Sequence, residues 1–422
     1  MSPIFLNNYK YKKEIVFFLF FYITLLISFF LGENSTGGAI GDYFDTNKHL
    51  RLKFASEFFK TFYEYDTLDS RHSPVLNIFL SFLERIKLSD ILIRLIHLHL
   101  CLFLPYLFYK CLIIKFIKID KKILFFLSSL IFLSPTFRTL AIWPDSRLIG
   151  LILFTLSIYY FLKFEESKNF KFAIYNVLIL ALSAYVSPNF SVFSIFFFIK
   201  FVLNYGFFSK KIFLIIITNV VLTFPAFYYI FILDINFFLK SAATGLAENE
   251  RIIFNNLFND ILITFSIIFF YLIPFLFFKI IKVNNILDFK NILISTLIFL
   301  ICVFNFDYNY LYSGGGIFFK ISNFFLHNNY LFYFISFFAI LIICPFANKN
   351  YLNILLFVLI ILNNPQYTIY HKYFDPFLLI AFLTIFSLNI ELKKIFHAKN
   401  YFFIFAYFLA FLIINNLKIN YV

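Results

Sequence analysis

Apolar runs of membrane length recur along the whole chain, and no other feature limits its fold so tightly. A helix needs ~17–25 predominantly apolar residues to cross the hydrocarbon core, fewer where polar residues lie among the headgroups. Runs that meet this condition lie near 15–31, 89–115, 123–135, 147–163, 172–187, 190–207, 212–233, 261–281, 291–305, 330–346, 351–363, 376–390 and 401–415. Hydrophobic residues make up 62% of the chain and charged ones 14%, so no soluble core could bury this surface. The sequence predicts an all-α polytopic membrane protein with about thirteen transmembrane helices. It reads as a single multi-pass domain over 1–422, with no internal repeat. The abundance of Phe reads as compositional drift, so Phe-rich faces carry little specific information.

The net charge of +14 has a plain source in such a chain, because cytoplasmic loops collect Lys and Arg. It therefore calls for no nucleic acid. With the N-terminus inside, the inner loops carry Lys10, Lys12 and Lys13, then Lys115, Lys118, Lys121 and Lys122, then Lys168 and Lys171. Lys210 and Lys211, Lys279, Lys282 and Lys290, Lys349, and Lys393, Lys394 and Lys399 continue the pattern. Outer loops hold single cations such as Arg138, Lys320 and Lys372. Residues 15–31 are expected to stay as an uncleaved first span, since no small-residue cleavage site precedes Gly32. Cys101, Cys111, Cys302 and Cys344 lie in apolar segments without CxxC spacing and indicate neither disulfide nor metal. Eight of the ten glycines (32, 37, 38, 41, 245, 314, 315 and 316) fall in outer loops, which makes the outer face the shaped one.

The first outer loop, 32–88, is the longest polar-rich interval. It opens with Gly37-Gly38-Ala39-Ile40-Gly41-Asp42-Tyr43-Phe44-Asp45. From Asp45 onward Leu50, Phe54, Phe58, Phe62 and Tyr65 recur every three or four positions, with Lys48, Arg51, Lys53, Glu57, Lys60 and Glu64 between them. That pattern predicts an amphipathic helix lying in the membrane interface. Asp45 reads either as the N-cap of this helix or as a second acid. Asp42 stands in a glycine-loosened turn and is the candidate catalytic base, which a hydroxyl nucleophile needs in its transition state. His49 and His72 flank the same loop as substrate-binding candidates, or are ordinary interfacial residues.

Three further stretches carry chemistry. Ser134-Pro135-Thr136-Phe137-Arg138 and Trp143-Pro144-Asp145-Ser146-Arg147 read as a short outer hairpin. Arg138 and Arg147 there either clamp a phosphate bidentately or pair with headgroups and with Asp145 respectively. Tyr367 to Pro376 sets four aromatics around His371 and Lys372, which suits a sugar ring and a departing phosphate, or else an aromatic belt. Glu84, Arg85, Lys87, Asp90, Arg94, His97 and His99 straddle the start of the next span, where mutual pairing is expected. Gly314-Gly315-Gly316 lacks the Gly-Lys-Ser/Thr ending of a P-loop and reads as a substrate-facing turn. Two weakly spaced carboxylates are thin evidence for a metal, so a divalent ion near them stays an open alternative, and the sequence names no cofactor.

A first span, an outer loop bearing an acid and an interfacial helix, then His72-Ser73-Pro74 and many more spans, resembles the GT-C superfamily of integral-membrane glycosyltransferases. That resemblance covers the architecture of the whole chain, with motif support confined to the first loop. The adjacent acids often found in the family are here split by Tyr43 and Phe44. The resemblance implies a polyprenyl-phosphate sugar donor, and a glycan, lipid or protein hydroxyl as acceptor. It also implies a bacterial inner membrane with the site on the periplasmic side. Two rival readings are an O-antigen-type polymerase or ligase and a flippase or transporter for lipid-linked sugars. The first places its polar loop late in the chain, and the second favours repeats around a midplane site.

Overall fold

The computed structural model describes residues 12–421 apart from 69, 71, 236–255, 285, 310–313 and 365–367; the side chains at 12–15, 349, 398 and 418–421 are likewise outside it. Lys10, Gly245 and Tyr367, named above, lie outside the described residues, as does most of the stretch between the runs at 212–233 and 261–281. Among the described residues the fold is helical, and its β structure is an isolated bridge between Ile281 and Ile390.

Among the described residues, seven helices are long and apolar enough to cross a membrane: Asp90–Lys115, Ser146–Ser167, Pro188–Tyr205, Lys210–Ile232, Leu257–Phe277, Tyr330–Asn348 and Lys399–Leu417. A bent pair, Lys121–Leu133 and Pro135–Ile142, turns by 64° and brings the number to 8 if it counts as one span. Five shorter apolar helices, Val16–Leu31, Phe170–Val186, Phe289–Phe304, Gly316–Leu326 and Tyr351–Leu362, complete the set. Helix length and composition thus support a multi-pass protein without reaching thirteen.

Three expected elements are corrected, two of them in the helical bundle. Where a span was expected at 376–390, the helix runs only over Phe377–Thr384, and every residue of it is buried. Its freed backbone is satisfied by side chains from elsewhere. Lys115 Nζ donates to the carbonyls of Thr384 and Phe386, while Asn353 donates to Ser387 O at 3.2 Å and accepts from Ser387 N at 3.0 Å. Irregular backbone at membrane depth is tolerated where protein covers it in this way. The outer hairpin expected at 134–147 is instead the helix Pro135–Ile142, buried along its length. Ser134 caps it by accepting from Phe137 N, and Pro135 takes the first helical position.

The contacts sort the loops into two sets. Lys394 Nζ reaches Lys279 O at 3.0 Å, Lys282 pairs with Glu391, and Lys200 lies 3.8 Å from Glu165, so cation-rich loops meet one another. The other set joins the first loop to Pro144, Asp307 to Asn259, Ile369 to Gly315 and Asn416 to Glu33. This segregation is what an alternating chain with a positive inner face requires.

The amphipathic stretch departs from one continuous helix. It begins with a short turn at Ala39–Gly41, continues as a π-helical turn over Asp42–Asn47, and then forms Lys48–Ser56 and Phe58–Tyr63. Glu57, at φ −132° and ψ 59°, breaks the two apart. Its apolar face meets protein: Leu50, Phe54 and Tyr65 are buried in a small core with Tyr229 and Ile235.

Candidate active site

Helical backbone begins before Asp42, so Asp45 lies inside the π turn and is not a helix cap. The turn is defined by the Lys48 N to Tyr43 O bond, which spans five residues where an α-helix spans four. Its two ends are tied down. At one end the Tyr43 hydroxyl donates to Asp90 Oδ1 at 2.6 Å, and the ring leans on Trp143 with centroids 5.7 Å apart. At the other end Asn47 Nδ2 donates to Pro144 O at 3.1 Å. Asp42 is thereby presented with its side chain 33% exposed.

A late segment meets it there. Lys372 Nζ lies 3.8 Å from Asp42 Oδ2, across more than three hundred residues of sequence. The turn His371–Tyr373 that carries this lysine is anchored by the next acid, Asp375. Asp375 accepts from Ser134 Oγ at 2.6 Å and from Thr136 N at 3.1 Å, and so sits at the N-terminus of the buried helix Pro135–Ile142. The free amides and dipole of the helix end favour a carboxylate there, but burial outweighs them and pushes the Asp375 carboxyl up.

The third contributor is the start of the helix Ser146–Ser167. Asp145 caps it, accepting from Arg147 N at 2.7 Å, and is itself 4% exposed. Burial alone would push the Asp145 carboxyl up, but the charges of Arg147 and then His72 hold it below the usual carboxylate range. Arg147 lies over the Tyr373 ring at 4.2 Å, with Nε 4.0 Å from Asp145 Oδ1. Asp42 is close enough to add to the field on this guanidinium. Arg147 Nη1 is buried without a hydrogen-bond partner. A buried unpaired donor costs about 1–3 kcal/mol or more, and an anionic oxygen is the partner that would recover it.

The structure therefore brings together Asp42, Arg147 and Lys372, with His72 and Asp145 beside them. Asp45 and His49 are exposed on the same loop and make no side-chain hydrogen bond among the described residues. Two candidates take other partners. Arg138 is committed to Glu33: Nε donates to both carboxylate oxygens, at 3.0 and 2.9 Å, with both side chains under a tenth exposed. Nη2 of the same guanidinium also reaches Ser28 and Thr24 O. Pairing inside the protein, and not with headgroups, accounts for this arginine. His371 turns away from Asp42 into a pocket of Tyr271, Phe270 and Phe411, its Nε2 3.3 Å from the Tyr271 hydroxyl. Burial pushes its pKa down to about 3, so it is neutral at working pH and supplies no charge to a phosphate.

Among the described residues the mixed cluster at 84–99 does not pair with itself as expected: its acids Glu84 and Asp90 take Arg51, from the first-loop helix. Arg51 is 1% exposed, with Nη2 2.8 Å from Asp90 Oδ1 and Nε 3.0 Å from Glu84 Oε2. Sequence reading placed Arg51 on the polar face. The 3.6 period also puts it on one stripe with Asn47, Phe54 and Phe58, which is the signal that could have found it. Arg94 stacks on Trp143 at 3.7 Å, and His97 Nε2 lies 3.0 Å from Leu140 O. Among the described residues no group of three His, Cys, Asp or Glu could hold a metal ion.

Chemically, the site offers a partly exposed carboxylate, an ammonium on a long flexible stem, a guanidinium with an unused donor, and the rings of Tyr370 and Tyr373. Comparison with known proteins adds no family to this description: no family model, no curated protein and no solved structure matches the chain.

Proposed function

We propose that this protein is a membrane glycosyltransferase of GT-C type, with about thirteen crossings once the shorter helices are counted. It moves a sugar from a polyprenyl-phosphate carrier to an acceptor hydroxyl at the non-cytoplasmic face, in a bacterial inner membrane the periplasmic one. The observation that carries this reading is the meeting of Asp42 with Lys372 beside the unpaired Arg147 nitrogen. A base and a pair of cations at one membrane-proximal site suit transfer from a phosphate leaving group.

The donor phosphate draws the Lys372 ammonium toward itself and takes the free donor of Arg147. Asp42 then accepts the acceptor's proton as its oxygen bonds to the anomeric carbon. The bond from that carbon to the phosphate oxygen breaks, and its electron pair leaves on the polyprenyl phosphate. Inversion at the anomeric carbon is the working stereochemistry. Clustering of the charged groups at one end of the bundle supports an enzyme over a midplane transporter.

The test is Asp42→Asn in the full-length protein in nanodiscs. Release or transfer of sugar from a panel of hexosyl- and pentosyl-phosphoryl undecaprenols should fall by about 10²–10⁴-fold. Binding of undecaprenyl phosphate and the amount of folded protein should hold. Turnover at the wild-type rate in this variant would overturn the assignment.

A further inference from the structure

A charged side chain sealed inside a first-loop helix calls for an explanation that stability does not supply. Arg51 has carboxylates from two other segments around it, Glu84 and Asp90, and its Nη1 donates to the Tyr43 hydroxyl at 2.8 Å. That hydroxyl in turn donates to the same Asp90 oxygen at 2.6 Å. Lys48 Nζ stands 4.0 Å from this oxygen, and the Arg94 guanidinium lies 5.7 Å over the Tyr43 ring. An ion network around a buried guanidinium is at best near break-even against apolar packing, so what it contributes is a fixed geometry.

The geometry fixed here is the π turn. Such turns are rare, appear mostly as single insertions, and cluster at functional sites. The wide turn over Asp42–Asn47 rotates Asp42 out of the register that a continuous α-helix would give it. Relaxing the turn to α would carry the carboxylate around the helix axis and away from Lys372. Tyr43 is the residue through which this is resisted, since its ring is pinned by Trp143 and its hydroxyl by two charged partners.

We infer that Arg51, acting through the Tyr43 hydroxyl and Asp90, is a positioning residue for Asp42. The inference rests on the glycosyl-transfer reading above and goes beyond it in naming what aims the base. Arg51 touches no substrate. It holds the turn that sets the distance from the carboxylate to Lys372, and misplacing a reacting group by an ångström costs on the order of 10²-fold in rate.

The experiment measures sugar release from mannosyl-, glucosyl- and arabinosyl-phosphoryl undecaprenol by the full-length protein in nanodiscs. Tyr43→Phe deletes one oxygen and leaves every charge in place. It should lower kcat by about 10–100-fold, with KM within about twofold and the protein still fully folded at the assay temperature. Arg51→Lys should fall between wild type and Arg51→Gln. The double variant Tyr43→Phe with Arg51→Lys should be no slower than the worse single one, because both act along one path. Arg51→Gln leaves two carboxylates without their counterion and can fail to fold, so Tyr43→Phe carries the decision. Lys60→Ala, on the exposed side of the same loop, should match wild type. Unchanged kcat in Tyr43→Phe overturns the positioning role and leaves the glycosyl-transfer reading standing. So does a kcat loss accounted for by loss of folded protein at the assay temperature. A wild type inert with every donor of the panel overturns both.

Discussion

The ammonium of Lys372 stands 3.8 Å from the carboxylate of Asp42, joining the first polar loop to one of the last. With side chains 15% and 33% exposed, the pair is half-screened, and its value lies in placement more than in stability. Lys372→Gln should reduce affinity for undecaprenyl phosphate and sugar transfer by about tenfold or more, whereas Lys372→Arg should retain most of both. Binding measured by native mass spectrometry, alongside turnover, checks this. Equal binding by Lys372→Gln and wild type would remove the lysine from the phosphate site.

Sidedness can be read chemically. Phe44 is 44% exposed beside Asp42, while Cys101, Cys111, Cys302 and Cys344 are all buried. A Phe44→Cys variant should therefore react with an impermeant maleimide over a low background. Labelling is expected in intact cells or spheroplasts from the outer side only. Reaction confined to inverted vesicles would place the site in the cytoplasm and end the proposed topology.

Glu33 and Arg138 form the most committed ion pair at this end of the bundle. Breaking it by Glu33→Gln or Arg138→Met leaves a buried charge unpaired and should cost about 3–5 kcal/mol, read as lost thermal stability in detergent. Burial pushes the Glu33 carboxyl up, but the Arg138 guanidinium more than offsets this and holds it below the ordinary value. A depressed carboxyl stabilises the fold fully above its ordinary pKa, and that contribution is lost as pH falls through the depressed one. Acidification from pH 5 downward should thus melt wild type progressively, and Glu33→Gln should show a shallower slope over the same window. Parallel slopes would mean that the pair is not what titrates.

Gly314 is a position that admits no side chain. Its φ of 127° suits glycine, and a Cβ there would come within 2.7 Å of the Tyr308 hydroxyl and 2.8 Å of Ile369 O. Gly315 N also donates to Ile369 O at 2.8 Å, so this stretch of the glycine run buttresses the segment leading to Lys372. Gly314→Ala should cost about 1–3 kcal/mol and lower turnover with it. Gly41→Ala, at an ordinary φ of −60° with its nearest neighbour 3.5 Å away, should be mild in stability. Similar melting temperatures for the two variants would refute the buttress.

Much of this was legible in advance because lipid enforces it. Runs such as 261–281 and 330–346 have to be helices, and lysine-rich loops such as those of Lys282 and Lys394 meet one another. Asp42 and Lys372 stood out as polar residues in an apolar chain, and the fold puts them in contact. What stayed hidden was set by tertiary partners. Arg51 looked solvated because charge usually is, yet Glu84 and Asp90 wait for it on other helices. His371 looked like a cation because its neighbour is one, but its ring is turned into Tyr271 and Phe270. The apolar stretch at 376–390 passed for a span because composition does not record which backbone groups other side chains will satisfy.

That last stretch has a bearing on how the protein is made. An eight-residue helix followed by open backbone would strand bare carbonyls and amides in lipid if it left the translocon alone. The groups that receive it, Lys115 and Asn353, belong to helices synthesised earlier. Residues 377–390 can therefore enter the bilayer only by docking onto a bundle already assembled.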